Sequence, residues 1–285
     1  MSLVWLVTGT STGIGRAFIP AVLARGDKVI ATSRNTSSLE SLQCDNPDSV
    51  RVLPLDVTSP QDEIEKAVEQ AIAVWGKVDV VVNNAGYSQV GTWEDISPEM
   101  LFACFNTNVF GAHRVTRALL PHFRQRRSGW MVFVSSLSGL VGHPMTSAYA
   151  GSKFALEGMV ESLAAETAPL GLHTLLVEPG RFRTEISSSD KSPVHISEVP
   201  EYAEMSRFVR DYLRDLSGKQ QGDPAKLANV VLDFVRGEGV AEGKEAPLRI
   251  LLGGDALQDV KGKTERLLGS INEWEHVTTS TDFES

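Results

Sequence analysis

Tyr149 and Lys153 stand four residues apart in the stretch SAYAGSK (147–153), with only small residues between them. At helical spacing, positions i and i+4 share a face, so a phenol oxygen and an ammonium can lie against one ligand. A nearby cation favours phenolate and lowers a tyrosine pKa, which predicts a group able to exchange a proton near neutral pH. Thirteen residues upstream, Ser136 closes the apolar run VFVSS (132–136) and supplies a hydroxyl at the end of a strand pattern. A Tyr and a Lys at this spacing can equally be an ordinary surface pair, so the elements that position them decide the reading.

Short β-branched runs alternate with helical patterns along the chain: 3–8, 28–32, 50–55, 78–82, 130–134, 173–177 and 248–252. Seven such strands separated by helices predict an α/β fold, a doubly wound (Rossmann) parallel sheet with helices on both faces. Such sheets bind ligands at the carboxyl ends of their strands, where Ser136 falls. The first strand delivers TGTSTGIG (8–15), with Gly9, Gly13 and Gly15, straight into a helical pattern. Glycines there let backbone approach a diphosphate, and the helix N-terminus presents N–H groups to the anion. The spacing is G-x-x-x-G-x-G, not the usual G-x-G-x-x-G of dinucleotide sites. The second strand ends in Thr32-Ser33-Arg34 instead of the acid that would grip a ribose 2′-hydroxyl. Guanidinium pairs with a 2′-phosphate that a carboxylate would repel, so the cofactor expected is NADP(H) in preference to NAD(H).

The chain has 285 residues, 42% hydrophobic and 22% charged, and a formal net charge of −9, which argues against nucleic acid and membrane surfaces as partners. Arg124-Gln125-Arg126-Arg127 is a basic run, but it ends a predicted helix, where cations offset the dipole. Two distant cysteines, Cys44 and Cys104, and six histidines without ligand spacing point to reduced thiols and no metal. The apolar start, 3–7, is too short for a signal segment, and a cytoplasmic protein is expected. A single domain is expected over 1–285, with a substrate lid at 185–222 where the strand rhythm breaks and a polar tail at 276–285. Within the lid an amphipathic helix is predicted, with Tyr202, Met205, Val209, Tyr212, Leu213 and Leu216 on one side. Met205, Phe208, Val209, Val90, Trp93, His143 and Met145 are candidates for an apolar pocket, or simply pack the lid.

TGTSTGIG (8–15), LDV (55–57), NNAG (83–86), Asn108 in NTNVFG, SS (135–136), YAGSK (149–153) and PGRFRT (179–184) follow one another in the order and spacing of the short-chain dehydrogenase/reductase family, which the chain resembles over at least residues 3–255. PGRFRT and the ending with Trp274 and Ser280–Phe283 resemble the branch of 17β-hydroxysteroid dehydrogenase-like oxidoreductases. The resemblance implies Tyr149 as general acid, or base in the oxidising direction, and Ser136 as hydrogen-bond donor to the carbonyl oxygen. It implies that Lys153 lowers the Tyr149 pKa and holds the nicotinamide ribose, and that Asn108 anchors a water leading to Lys153. For the cofactor it implies Gly9, Ser11, Gly13 and Ile14 at the diphosphate, and Asp56 and Val57 at the adenine. Asn83, Ala85 and Gly86 would lie on the adenosine side and Thr184 at the carboxamide. Thr12 stands where some NADP-dependent members carry a basic residue, so Arg34 bears the preference largely alone.

The function expected is NADPH-dependent reduction of a carbonyl on a lipophilic small molecule. NADP- or NAD-dependent alcohol oxidation, a non-catalytic nucleotide-binding scaffold, and an unusual hydride step such as imine reduction remain alternatives. A homodimer or homotetramer built on the helices of Asn108 and Tyr149 is what the family implies.

Overall fold

The computed structural model describes residues 2–184 and 194–283. Seven parallel strands form one sheet: β1 (Val4–Thr8), β2 (Lys28–Ser33), β3 (Val50–Pro54), β4 (Val80–Asn83), β5 (Trp130–Val134), β6 (His173–Pro179) and β7 (Arg249–Leu252). Their order across the sheet is β3-β2-β1-β4-β5-β6-β7. The fold class read from the sequence is therefore the one observed. The order reverses direction between β1 and β4, and such a switch point opens a crevice at the carboxyl ends of the strands. Register places Thr8 beside Thr32 and Asn83 beside Phe133, so the loops leaving these strands converge on one edge.

Both faces of the sheet are covered, which explains why β1 lacks polar alternation. Trp5 and Val7 pack with Phe18 and Ile19 of α1 (Gly13–Ala24) and with Leu227, Val231 and Leu232 of α8 (Pro224–Arg236). Val4 and Leu6 face the opposite way, joining Ile64 and Val68 of α3 (Gln61–Trp75), Leu119 and Phe123 of α5 (Ala112–Arg126), and Leu156 and Val160 of α6 (Ser147–Thr167). Full burial of each such side chain contributes about 1.5–3 kcal/mol.

The remaining helices are α2 (Glu40–Asp45), α4 (Pro98–Phe105), α7 (Pro200–Leu216) and α9 (Gly254–Thr279). Helix starts follow the local code: Ser97 and Asp223 accept hydrogen bonds from the Met100 and Ala225 amides, each with Pro next in line. Between α4 and α5 the helix continues as a π turn over Asn106–Gly111.

Arg126, in the basic run, donates to Asp79 Oδ1 and to the Val78 carbonyl, both at 2.6 Å, so that run fastens α5 to the sheet. Helix α9 runs on to Thr279, where Thr278 and Thr279 bond back to the Trp274 and Glu275 carbonyls at 3.1 Å. The start of the expected polar tail is thus helical. The first part of the expected lid, 185–193, lies outside the described residues. Its later part is α7, with Tyr202, Met205, Val209, Leu213 and Leu216 half-buried. Phe208 is 70% exposed and stacks on exposed Tyr212, and Trp93 is 83% exposed. Of the candidate pocket residues, Val90 and Met145 are buried.

Candidate active site

The turn after β1 is shaped by what glycine permits. Gly9 and Gly13 have φ of +69° and +62°, and a Cβ on Gly15 would lie 2.3 Å from the Gly9 carbonyl oxygen. Ser11 and Ile14 sit in the same turn, and α1 opens at Gly13 with no acidic residue in its first turn, leaving the positive end of its dipole for an anion. This cradle fits a dinucleotide diphosphate. Thr184 stands opposite, its Cβ 3.4 Å from where a Gly13 Cβ would be.

Asn84, absent from the residues singled out in the sequence, holds the turn. Its Nδ2 donates to the carbonyls of Thr8 at 2.8 Å and Gly9 at 3.1 Å, while the Thr8 hydroxyl oxygen accepts from the Asn84 and Ala85 amides at 3.0 Å. The signal was there, as the second Asn of NNAG. Replacing Asn84 with Ala should weaken dinucleotide binding about tenfold by loosening the Gly9 carbonyl, a loss of order 1–1.5 kcal/mol; calorimetric titration reads it.

The other predicted cofactor residues lie along the same edge of the sheet. Arg34 is exposed just beyond β2. Asp56 follows β3 and accepts from the Thr58 amide and hydroxyl at 2.9 and 2.7 Å, and Val57 is buried against Gly111. Gly86 comes close to Asn108, whose Oδ1 a Cβ there would meet at 2.9 Å. Asn83 turns away: its Nδ2 donates to Thr116 of α5 at 2.9 Å, so its side chain serves the packing of that helix.

Helix α6 and the end of β5 bring Ser136, Tyr149 and Lys153 together. The Ser136 oxygen accepts from the Ser138 amide at 3.1 Å, and its hydroxyl lies near enough to Tyr149 to favour the phenolate. Lys153 Nζ lies 5.8 Å from the centre of the Tyr149 ring and donates to the Val134 carbonyl at 2.8 Å. Asn108, on the π turn, donates to the Ser152 hydroxyl and the Tyr87 carbonyl, both at 3.0 Å, and accepts from the Tyr87 amide at 3.0 Å. Ser152 in turn donates to the Tyr149 carbonyl at 2.7 Å, so Asn108 braces the turn of α6 that carries the tyrosine. With its carboxamide engaged this way, the water-anchoring role implied for Asn108 would fall to its main chain.

The expected fall in the Tyr149 pKa is not seen in the chain alone. Burial pushes the phenol up to about 12, and the nearby Ser136 hydroxyl only partly offsets it. Burial likewise pushes the Lys153 ammonium down to about 8, the charges of Cys104 and Glu157 opposing this. The ammonium sits over the ring and bonds a carbonyl, and desolvation is the largest influence on the phenol.

A family model described as short chain dehydrogenase matches residues 3–194. The chain belongs to this family. It is 38% identical over 283 residues to oxidoreductase BOA17 of Botryotinia fuckeliana, covering 99% of this chain and all of that one. With the 3-ketodihydrosphingosine reductase of Bacteroides thetaiotaomicron it shares 35% identity, covering 81% and 82% of the two chains. A short-chain dehydrogenase structure from Streptomyces avermitilis superposes with a TM-score of 0.87 at 40% identity, covering 99% and 100%. This short-chain dehydrogenase is accordingly an oxidoreductase that works with a nicotinamide dinucleotide, NAD or NADP. Among the described residues, no helix is long and apolar enough to cross a membrane.

Proposed function

We propose that the chain is an NADPH-dependent reductase that turns the ketone or aldehyde of a lipophilic small molecule into an alcohol. One observation carries the reading: a half-buried phenol beside a serine hydroxyl, with an ammonium over its ring, at the strand ends beside the glycine cradle. When bound, the cofactor supplies the hydride. Tyr149 Oη gives the proton to the carbonyl oxygen. The Ser136 hydroxyl, its oxygen already fixed by the Ser138 amide, donates to that same oxygen and stabilises the developing charge. Lys153 spends one N–H on Val134 and keeps the others for the nicotinamide ribose. Gly9, Ser11, Gly13, Ile14, Asp56, Val57, the Asn83–Gly86 backbone and Thr184 would hold the dinucleotide. The resemblance to the 17β-hydroxysteroid dehydrogenase-like branch and the ketosphingoid named for a relative support a lipophilic substrate. The direction in the cell follows mass action.

Arg34 would choose NADPH. Nothing acidic stands at the end of β2, and the guanidinium is open to solvent. Thermal unfolding with NADPH, NADH, NADP⁺ and NAD⁺ tests this, since ligand at a hundred times its Kd adds about 2.7 kcal/mol. The phosphorylated pair should give the larger shift, and Arg34→Asp should reverse the order. Equal shifts would make Arg34 a bystander.

The same reading places the enzyme in the cytoplasm, supported by two free thiols, with partners limited to its small-molecule ligands and to copies of itself. Exposed Phe102, Phe110, Phe154 and Met159 on the helical stretches around Asn108 and Tyr149 support a homodimer or homotetramer built on that face.

A further inference from the structure

One turn beyond Lys153 on α6, Glu157 is 4% exposed, and Glu178 of β6 is fully buried beside it. Arg249 of β7 reaches both, donating through Nε to Glu178 Oε1 at 3.0 Å and through Nη2 to Glu157 Oε2 at 3.3 Å; it also meets half-exposed Glu161 at 2.5 Å. The other charged groups around the pair are Lys153 on α6 and Lys263 on α9, which bonds the Leu140 carbonyl. One guanidinium thus faces three carboxyl groups.

The remaining oxygens, Glu157 Oε1 and Glu178 Oε2, are buried and have no donor, and the two carboxyl groups, bridged by Arg249, are close enough that Glu157 raises the Glu178 pKa. Two carboxylates that meet this way satisfy each other only if one carries a proton. Their position gives that proton a task. A Cβ on Gly139 would lie 2.6 Å from Glu157 Oε1 and 2.7 Å from Ser135 Oγ, so the turn that follows Ser136 rests directly on the carboxyl.

We propose that Glu157 and Glu178 share a single proton beneath the Ser135–Gly139 turn, and that this carboxyl–carboxylate bond positions the Ser136 hydroxyl for the reaction. The pair consists of positioning residues, acting through the turn without touching substrate. Loss of the proton would leave two buried anions against one guanidinium and push the turn from its seat.

Burial, followed by the charge of Glu157, holds the Glu178 carboxyl up to about 8. A carboxyl raised from an unfolded value of about 4.3 stabilises the fold fully only below that value. The folded chain then keeps a proton the unfolded chain has lost, so stability falls as pH rises from about 4.3 to about 8. Glu178→Gln removes this slope, because its amide accepts from Arg249 and donates to Glu157 at every pH.

The test compares wild type, Glu178→Gln and Glu178→Leu. Infrared difference spectra should show a protonated carboxyl band in wild type that vanishes as pH passes about 8 and is absent from Glu178→Gln. The Tm of Glu178→Gln should gain on wild type steadily between pH 5 and 8. The kinetic arm rests on the reductase reading: at pH 7, Glu178→Gln should keep kcat within about twofold, whereas Glu178→Leu should lose about tenfold or more in kcat with KM for cofactor little changed. Absence of the band, parallel Tm profiles, or a Gln variant as impaired as the Leu variant would overturn the proposal. An expected band and Tm profile in a chain that turns over no carbonyl compound would support the shared proton and sink the reductase reading.

Discussion

Tyr149→Phe is expected to lower turnover by about a hundredfold or more, the usual worth of a positioned general acid, with dinucleotide affinity nearly unchanged. The substitution removes one oxygen. The ring stays under Lys153 Nζ, the ammonium keeps its bond to the Val134 carbonyl, and α6 keeps its brace through Ser152 to Asn108. The phenol's pKa, pushed up to about 12 in the chain alone, means that Tyr149 carries its proton throughout the physiological range and starts each cycle as a donor. This suits reduction, in which the carbonyl oxygen needs a proton as the hydride arrives. Single-turnover kinetics with NADPH, alongside calorimetric binding, measure the two quantities separately. Turnover retained in the Phe variant would place the proton source on another group.

The second large effect is on stability and comes from the opposite end of the sheet. Asp27 is 1% exposed. Its Oδ1 accepts from the Leu3 amide and its Oδ2 from Trp5 Nε1, at 2.9 and 3.0 Å, and Arg236 donates to both oxygens at 2.9 Å. Asp27→Ala leaves a partly buried guanidinium and a buried indole N–H without this partner, and breaking such a pair costs about 3–5 kcal/mol. A fall in Tm of roughly 10 °C should follow, while kcat measured well below that Tm stays close to wild type, because Asp27 precedes β2 and the site lies beyond its other end. A Tm within about 2 °C of wild type would mean that Glu238, 3.3 Å from Arg236, takes over the charge.

The sheet was legible because its strands are covered on both sides, so burial selects near-continuous β-branched runs such as VVV (80–82) without polar alternation. The glycine turn and the Tyr149–Lys153 spacing could be read because backbone approach and helical periodicity are local rules. What depends on three-dimensional company could not. NNAG marks both asparagines, but its spacing does not say which of them turns toward Thr116 and which clasps the Gly9 carbonyl. The raised Tyr149 pKa was missed because proximity of a cation is visible in a sequence and desolvation is not. Phe208 has the hydrophobicity of a pocket residue but sits on the solvent side of α7, and Glu157 and Glu178, 21 positions apart, meet only through the packing of α6 on β6.

The π turn at 106–111 also fixes how the chain can change in length. A wider turn accommodates a residue that a regular helix would not, so the stretch from α4 through α5 could lose a single residue and still close as one continuous α-helix. The helix would survive the deletion, but everything on one side of it would swing by about 100° relative to the other. Asn108 would leave Tyr87 and Ser152 while α5 stayed seated on the sheet. A shortening that looks conservative in an alignment would therefore disconnect the brace from the tyrosine, and this segment's length is as much a part of the site as its side chains.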